Sequence, residues 1–396
     1  MENKPVLAPI DGTLIKKASF VAADKPYQVC TRCVMDTTDP GISFDEAGEC
    51  FHCKRFDSVI KPAWPSPKEG LRKLNIMLSD IKAEGKGKPY DCIIGLSGGV
   101  DSSYLAVKLK EWGLRPLAVH VDAGWNSELA VKNIEEICRR LKIDLVTHVV
   151  DWEEMRDVQL AFLKSNLANQ DIPQDHAYFA ALYQYAIKSK IKFVMDGRNY
   201  ATESILPQEW GYDAMDATHV KDIQKKFGEL KKSNYPIVGF FNLHIRFPFL
   251  LGMKRLAPLN LIKYSKSSAI DELEKNYGWR YYGGKHFESR WTRFFQSYYL
   301  PHKFGYDKRK AHLSSLVLTG ELTKADAHAE LCKPLYDNCT LAEHKSFIAK
   351  KLRISEDELD CFIKQPVSHY TDYKNSKSKL DFLTKVYRNF VKPFLR

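Results

Sequence analysis

This sequence predicts a doubly wound α/β fold, a parallel sheet with helices on both faces, and two observations carry that expectation. Between residues 90 and 197, four short apolar runs alternate with helical patterns, the order that builds parallel strands joined by crossovers. The first run passes straight into Ser97-Gly98-Gly99-Val100-Asp101-Ser102-Ser103 and then into a helical stretch. A glycine turn therefore falls where such sheets take ligands, at the carboxyl ends of their strands.

Strands are expected at 90–96, 116–121, 144–150 and 191–195, where Ile, Val, Leu and Phe cluster between turn residues. Helices are expected in the gaps, at 102–112, 128–141, 152–167 and 177–189. After Gly197 the sequence becomes helical and aromatic, with no further clean strand series up to Arg396. The Pro- and Lys-rich stretch 61–68 reads as a joint. Three units are expected: 1–65 with a cysteine module, 66–235 as the α/β domain, and 236–396 as a mainly helical substrate-binding region.

With 44% hydrophobic and 28% charged residues among 396, the composition is that of a globular protein and excludes disordered and collagen-like classes. The most apolar stretch, 235–253, is interrupted by Asn242, His244 and Arg246, so it reads as buried helix or pocket wall and not as a membrane span. The first twenty residues mix Lys, Asp and Pro with short apolar pieces, unlike a secretory leader. A cytoplasmic location is expected. Sixty Lys and Arg face 49 Asp and Glu, a formal +11. Nucleic acid, an acidic membrane, small polyanionic substrates or a merely solvated basic surface would each account for it. The basic stretch 382–394 is expected to be a surface helix, with a docking helix as the alternative.

Nine cysteines, an odd number, argue against a disulfide framework. Cys30-Thr-Arg-Cys33 and Cys50-Phe-His-Cys53 are two CxxC knuckles, with turn residues Asp39-Pro40-Gly41 and Gly48 between them. Four thiolates at that spacing close a tetrahedron around one ion and leave no open position, the pattern of structural Zn2+. His52 is read as a bystander, with a substitute ligand as the alternative. Four buried free thiols are the bland reading, and a redox role lacks the expected βαβ context.

In the glycine turn, Gly98 and Gly99 let the backbone approach an oxyanion, helix N–H groups point at it, and Ser97, Ser102 and Ser103 add hydroxyl donors. A pyrophosphate fits there. The turn lacks the lysine of the kinase-type phosphate loop, so chemistry at a γ-phosphate is not implied. Asp122, in His120-Val-Asp122-Ala-Gly124, ends the second strand, and Asp196-Gly197-Arg198-Asn199 ends the fourth. Either Asp101 or Asp122 could also be a plain cap.

The run Ser97-Gly-Gly-Val-Asp101-Ser resembles the SGGxDS signature of the PP-loop ATP pyrophosphatases, which cleave ATP between the α- and β-phosphates and hand AMP to a substrate oxygen. That resemblance implies ATP contacts at Ser97, Gly98, Gly99, Asp101, Ser102, Ser103, Asp122 and Gly197, with Asp101 and Asp122 helping to hold Mg2+. Further on, Tyr277-Gly-Trp-Arg280-Tyr-Tyr-Gly-Gly284-Lys285-His286-Phe-Glu288-Ser-Arg290-Trp-Thr-Arg293, with the following run through His312, resembles the N-acetyl sugar amidotransferases, the WbpG/PseA-like proteins of bacterial lipopolysaccharide, O-antigen or flagellin sugar synthesis. This second resemblance covers 27–331, cysteine quartet included.

It implies an enzyme that adenylates the acetamido group of a nucleotide-linked sugar, such as a UDP-linked N-acetylated uronic acid. Ammonia would then replace the oxygen to give an acetamidino group. A separate HisH-like glutaminase would supply the ammonia, with a HisF-like subunit as an optional further partner; nucleic acid and an integral membrane span are not expected. Met1 is followed by Glu2, and no Gly-x-Cys-x-Gly elbow occurs, so no glutaminase nucleophile is expected in this chain. Ser97, Asp101, Lys285, His286 and Glu288 are the catalytic candidates. Arg198, Asn199, Lys285, Arg290 and Arg293 are the substrate-binding ones, since Arg can grip a phosphate or carboxylate bidentately. Each basic residue could instead belong to an ion pair, while Tyr281, Tyr282, Trp291, Phe294 and Phe295 read as core. The competing function is a PP-loop enzyme that thiolates or amidates tRNA; thiolation would want a further cysteine pair, and Cys92, Cys138, Cys332, Cys339 and Cys361 are singletons. A zinc-ribbon adaptor with a degenerate nucleotide fold is the non-enzymatic reading.

Overall fold

A computed structural model describes residues 26–386. The opening twenty residues and the end of the 382–394 stretch lie outside the described residues.

The core element is a five-stranded sheet of β1 (Cys92–Gly95), β2 (Pro116–Asp122), β3 (Asp144–Val149), β4 (Phe193–Met195) and β5 (Lys254–Leu256), in the order β3-β2-β1-β4-β5. All four pairings are parallel. Helices α2 (Val100–Glu111), α3 (Glu128–Leu141), α4 (Trp152–Lys164) and α5 (Ile172–Lys188) link the first four strands, and α1 (Pro67–Glu84) precedes them. Residues alternate between two cores, as period-two strands require. Ile93, Leu117, Val119 and Val121 share one core with Val158, Phe162, Ala177 and Ala181 of α4 and α5. Cys92, Ile94 and Ala118 share the other with Leu105, Leu109, Ile134 and Ile137 of α2 and α3. The fold is doubly wound, as the alternation of elements predicts.

Three boundaries differ from the sequence reading for identifiable reasons. Helix α5 begins at Ile172, five residues before the expected 177, because Pro173 suits a first turn, where no backbone N–H is needed. Strand β5 is a short edge strand, mostly exposed, whose Lys-Arg-Leu sequence carries no apolar alternation. Within 235–253 the chain forms a wide helical segment, Asn242–Leu250, with Pro248 inside it. Polar and apolar residues alternate there with period two, so a helix cannot gather the apolar ones on one side; Phe247 is buried while Phe249 and Leu250 are each 67% exposed. Phe240 and His244 do form a wall, of a cavity of about 410 Å3 also lined by Tyr212, Asp216, Tyr370 and Leu380.

Beyond β4 the chain is mainly helical apart from β5, and its helices include α6 (Tyr200–Glu203), α7 (Ala217–Phe227), α8 (Lys266–Tyr277), α9 (Arg290–Phe294), α10 (Arg309–Thr319), α11 (Lys324–Leu331), α12 (Asn338–Leu352), α13 (Glu356–Lys364) and α14 (Lys377–Val386). The last is a surface helix, with Phe382 66% exposed. The cysteine module packs on these distant helices. Lys324 Nζ donates to the Cys30 and Thr31 carbonyls at 2.7 and 2.9 Å, the Val34 amide donates to Ser314 Oγ at 3.1 Å, and Lys310 pairs with Asp36. No helix of the described residues is long and apolar enough to cross a membrane.

Candidate active site

The sheet order sets β1 between β2 and β4, so chain connections leave β1 on both sides and a crevice opens at the carboxyl ends of β1 and β4. The glycine turn lies in it. Gly98 has φ +81°, and a Cβ there would stand 2.6 Å from the Ala130 carbonyl oxygen, so both conformation and space require glycine. Ser97 Oγ accepts from the Gly99 amide at 3.2 Å and lies 3.3 Å from Ser102 Oγ. The Ser103 hydroxyl is buried without a partner. Two distant residues brace the turn: Trp279 donates its indole N–H to the Gly98 carbonyl at 2.9 Å, and the Val100 amide donates to the Tyr282 hydroxyl at 3.2 Å. Gly197, ending β4, backs onto the start of α2, where a Cβ would come within 3.3 Å of the Ser102 amide nitrogen.

Around this turn stands a ring of charge. Asn199 donates to Asp101 Oδ1 at 3.1 Å and caps α6 by accepting from the Thr202 amide at 2.9 Å; Tyr264 donates its hydroxyl to the same Asp101 oxygen. Burial and the neighbouring Glu203 raise the Asp101 carboxyl, with Lys285 opposing. Lys285 Nζ is 3.1 Å from Glu203. Burial pushes the Glu203 carboxyl up, but Lys285 and His286 outweigh it and hold that acid below its usual range. His286 Nδ1 lies 3.5 Å from Glu288 Oε1. That oxygen is 3.1 Å from where a Gly99 Cβ would stand, while Glu288 Oε2 is buried with no hydrogen-bond partner. Against burial, His286 keeps Glu288 low and therefore ionised.

Ser97, Gly98, Gly99, Asp101, Ser102, Gly197, Asn199, Lys285, His286 and Glu288 thus converge. Four expected residues are engaged in other contacts. Asp122 closes its own turn, its Oδ1 accepting from the Gly124 amide at 2.8 Å and from Asn126 Nδ2 at 3.3 Å. Arg198 is 60% exposed and donates to Asp196 at 2.6 Å. Arg290 and Arg293 lie on α9, reached through a backbone bridge between Asn126 and Ser289; the guanidinium of Arg290 covers the Phe347 ring at 4.6 Å and that of Arg293 covers Phe287 at 4.4 Å. Trp291, Phe294 and Phe295 are core residues. Tyr282 departs from that reading, because its hydroxyl serves the glycine turn.

Sequence reasoning missed Tyr264, Lys266, Asp175, Lys308 and His312. Lys266 begins α8, two residues after the tyrosine that holds Asp101, and burial together with Lys285 lowers its ammonium. Lys308 is lowered by burial, partly offset by Asp171 and Asp175. Asp175 keeps an exposed residue surface, while the protein packed around its carboxyl, with neighbouring Asp171, pushes that group up to about 7. His312, lowered well below its ordinary value by burial and by Lys285 and Lys266, meets the Thr202 carbonyl at 3.1 Å. Lys308 and His312 at least lay inside the run that carries the second resemblance; Lys266 and Asp175 had no local signal.

The cysteine group is separate. All four side chains are fully buried, and their sulfurs lie within 4.8 Å of one another, at 3.8 Å for Cys30–Cys53, 3.7 Å for Cys33–Cys50 and 3.6 Å for Cys50–Cys53. A tetrahedral ion with metal–sulfur bonds of about 2.3 Å sets edges of roughly 3.8 Å. The group could therefore hold one metal ion. His52 is turned away, 2.7 Å from Asp39.

The structure thus sets a Ser-Gly-Gly-Val-Asp-Ser turn, of the kind that resembles the PP-loop signature, at the carboxyl end of a central parallel strand, with a charged ring above it. Residues 288–387 match the family model described as LPS biosynthesis protein WbpG-like, C-terminal domain, so the chain carries a WbpG-like C-terminal domain. It is 28% identical over 195 residues to a tRNA(Ile)-lysidine synthase of Chlamydia pneumoniae, a match over 40% of this chain and 61% of that protein's length. Among solved structures it is similar to the NH3-dependent NAD synthetase of Campylobacter jejuni, at 16% identity over 54% of this chain and 85% of that one, with a TM-score of 0.29. It is also similar to the U34-tRNA thiolase NcsA of Methanococcus maripaludis with its [4Fe-4S] cluster, at 17% identity over 67% and 79%, with a TM-score of 0.34.

Proposed function

We propose that this chain is an AMP-forming, ATP-dependent amidotransferase acting on the N-acetyl group of a nucleotide-linked sugar in bacterial surface-polysaccharide synthesis. The observation that carries the reading is the seam between the two halves. The segment matched to the WbpG-like C-terminal domain begins at Glu288, whose carboxylate abuts Gly99 of the glycine turn. The residues just before it, Tyr282 and Lys285, complete the wall.

An amide oxygen is a poor leaving group. Its attack on the α-phosphorus of ATP releases pyrophosphate and leaves an O-adenylyl imidate; ammonia adds at the imidate carbon, AMP departs with the oxygen, and one proton is lost. The amides at the start of α2 and the Ser97 and Ser102 hydroxyls would receive the pyrophosphate. Lys285 and Lys266 would face the charge that develops on it, and His286, whose Nδ1 lies 3.5 Å from Glu288 Oε1, is placed to accept the proton. Mg2+, bound with ATP, would offset phosphate charge. Asp101 and Glu288 would hold it, since a buried ionised oxygen with no partner suits a hard, oxygen-seeking cation. Zn2+ on Cys30, Cys33, Cys50 and Cys53 would be structural, as four thiolates leave no open position.

Incubation with ATP, magnesium, a UDP-linked N-acetylated uronic acid and an ammonium salt tests this. AMP and pyrophosphate should form, together with a product lighter by about one mass unit as NH replaces O; ADP formation would refute it. The likeness to the lysidine synthase keeps a tRNA-modifying reading in play. It would show as copurifying tRNA whose binding falls steeply with salt.

A further inference from the structure

Helix α12 presents one face to the α/β domain, and that face is not apolar. His344, Phe347 and Lys351 follow one another at helical spacing and meet α9 and the end of β2. Phe347 lies between two cations, Arg290 at 4.6 Å and Lys351 at 5.5 Å from its ring. Lys351 stands 4.4 Å over Trp152 and 5.2 Å over Trp125, and donates to the Gly124 carbonyl. Arg293 lies 5.1 Å over Tyr336, whose hydroxyl meets His344 Nδ1 at 2.9 Å.

Neither Arg290 nor Arg293 has a carboxylate or a carbonyl on its guanidinium among the described residues, and Arg293 Nε is buried with no partner at all. Elsewhere the half-buried arginines are answered: Arg309 by Asp307 and three carbonyls, Arg255 by Asp196. Two partly buried guanidinium groups whose recorded contacts are aromatic rings thus keep N–H donors that no acceptor among the described residues answers. Burial first, and then Arg293 and Arg290, drive His344 down to about 4, with Glu343 and Asp337 opposing.

We infer that Arg290, Arg293 and the His344–Lys351 face of α12 form a second anion-binding site, separate from the glycine turn, for the diphosphate of a nucleotide. This deepens the proposed function, on which it rests for the identity of the nucleotide: ATP would occupy the glycine turn and the sugar nucleotide this site. The α9 residues follow directly on Glu288, so one substrate could reach both.

The test is calorimetric titration of UDP, and separately of inorganic pyrophosphate, into full-length protein saturated with a non-hydrolysable ATP analogue. UDP should bind once per chain, and Arg293→Lys and Lys351→Ala should each weaken it at least tenfold while leaving the ATP analogue's affinity within twofold. Ser97→Ala should do the reverse. Arg293→Lys keeps charge and bulk, so thermal melting should stay close to that of the unaltered protein. Binding of pyrophosphate but not UDP would sustain the site and overturn the sugar-nucleotide reading. Competition between UDP and the analogue, equal loss of both ligands in the variants, or no second binding event would overturn the site.

Discussion

The indole N–H of Trp279 donates to the carbonyl of Gly98 at 2.9 Å across 181 positions of sequence. One buried hydrogen bond thus ties the helical half of the chain to the turn that would hold phosphate. Trp279 is 1% exposed, so its replacement by Phe removes the donor but keeps most of the volume. We expect a loss of roughly 1 kcal/mol in stability, read by denaturant melting, and a several-fold weaker affinity for the ATP analogue. Unchanged nucleotide affinity would show that the brace is only structural.

Gly98→Ala should be far worse for binding than for folding. The left-handed backbone and the Ala130 carbonyl both oppose a Cβ, and such strain costs about 1–3 kcal/mol. The turn should shift, abolishing nucleotide binding by calorimetry while far-ultraviolet dichroism stays intact. Ser97→Ala and Asp101→Ala should likewise eliminate turnover in a folded protein.

Purified protein should contain one zinc per chain, released by a strong chelator together with a lower melting temperature, because ligation free energy is folding free energy in such modules. The effect should reach beyond the module itself, since Lys324 and Ser314 of the C-terminal helices bond its backbone. Substoichiometric zinc, or four freely titratable thiols, would contradict this.

Much of this architecture was legible in the sequence because local rules govern it. The alternation of strand and helix follows from periodicity, and the glycine turn from residue types that only one geometry satisfies. Where non-local packing decides, the sequence is silent. Lys266 becomes a site residue only because Tyr264, two positions earlier, reaches Asp101. Asp175 matters only because α5 sets it beside Asp171 and Lys308. In the same way Arg290 and Arg293 could be read as ion-pair partners, whereas among the described residues neither meets a carboxylate and both lie over aromatic rings.

His219 is fully buried, 4.4 Å from the Tyr370 ring, and burial holds its pKa down to about 4 from 6.5. The folded state therefore binds fewer protons than the unfolded one between those values. Its stabilising contribution is complete above pH 6.5 and is lost as pH falls toward 4. The largest loss expected from this group is about 3 kcal/mol. Melting temperature should fall over that window, and His219→Leu should flatten the slope there whatever it does to stability at pH 7.

The last expectation concerns where nitrogen comes from. A glutaminase needs a nucleophilic cysteine activated by a nearby base. Of the five cysteines outside the metal group, Cys92 and Cys138 are buried in the sheet core and have thiols raised by desolvation. Cys332, Cys339 and Cys361 are exposed, and none of the five is hydrogen-bonded to a histidine among the described residues. Glutamine alone should therefore not support amidination by this chain, whereas an ammonium salt should. The ammonium-driven rate should climb with pH, because only the uncharged amine can attack the imidate carbon. Adding a separate glutaminase should make glutamine competent at neutral pH. Turnover of glutamine by the isolated chain, measured as glutamate release, would show that the nucleophile lies within it and that this account of the ammonia supply is wrong.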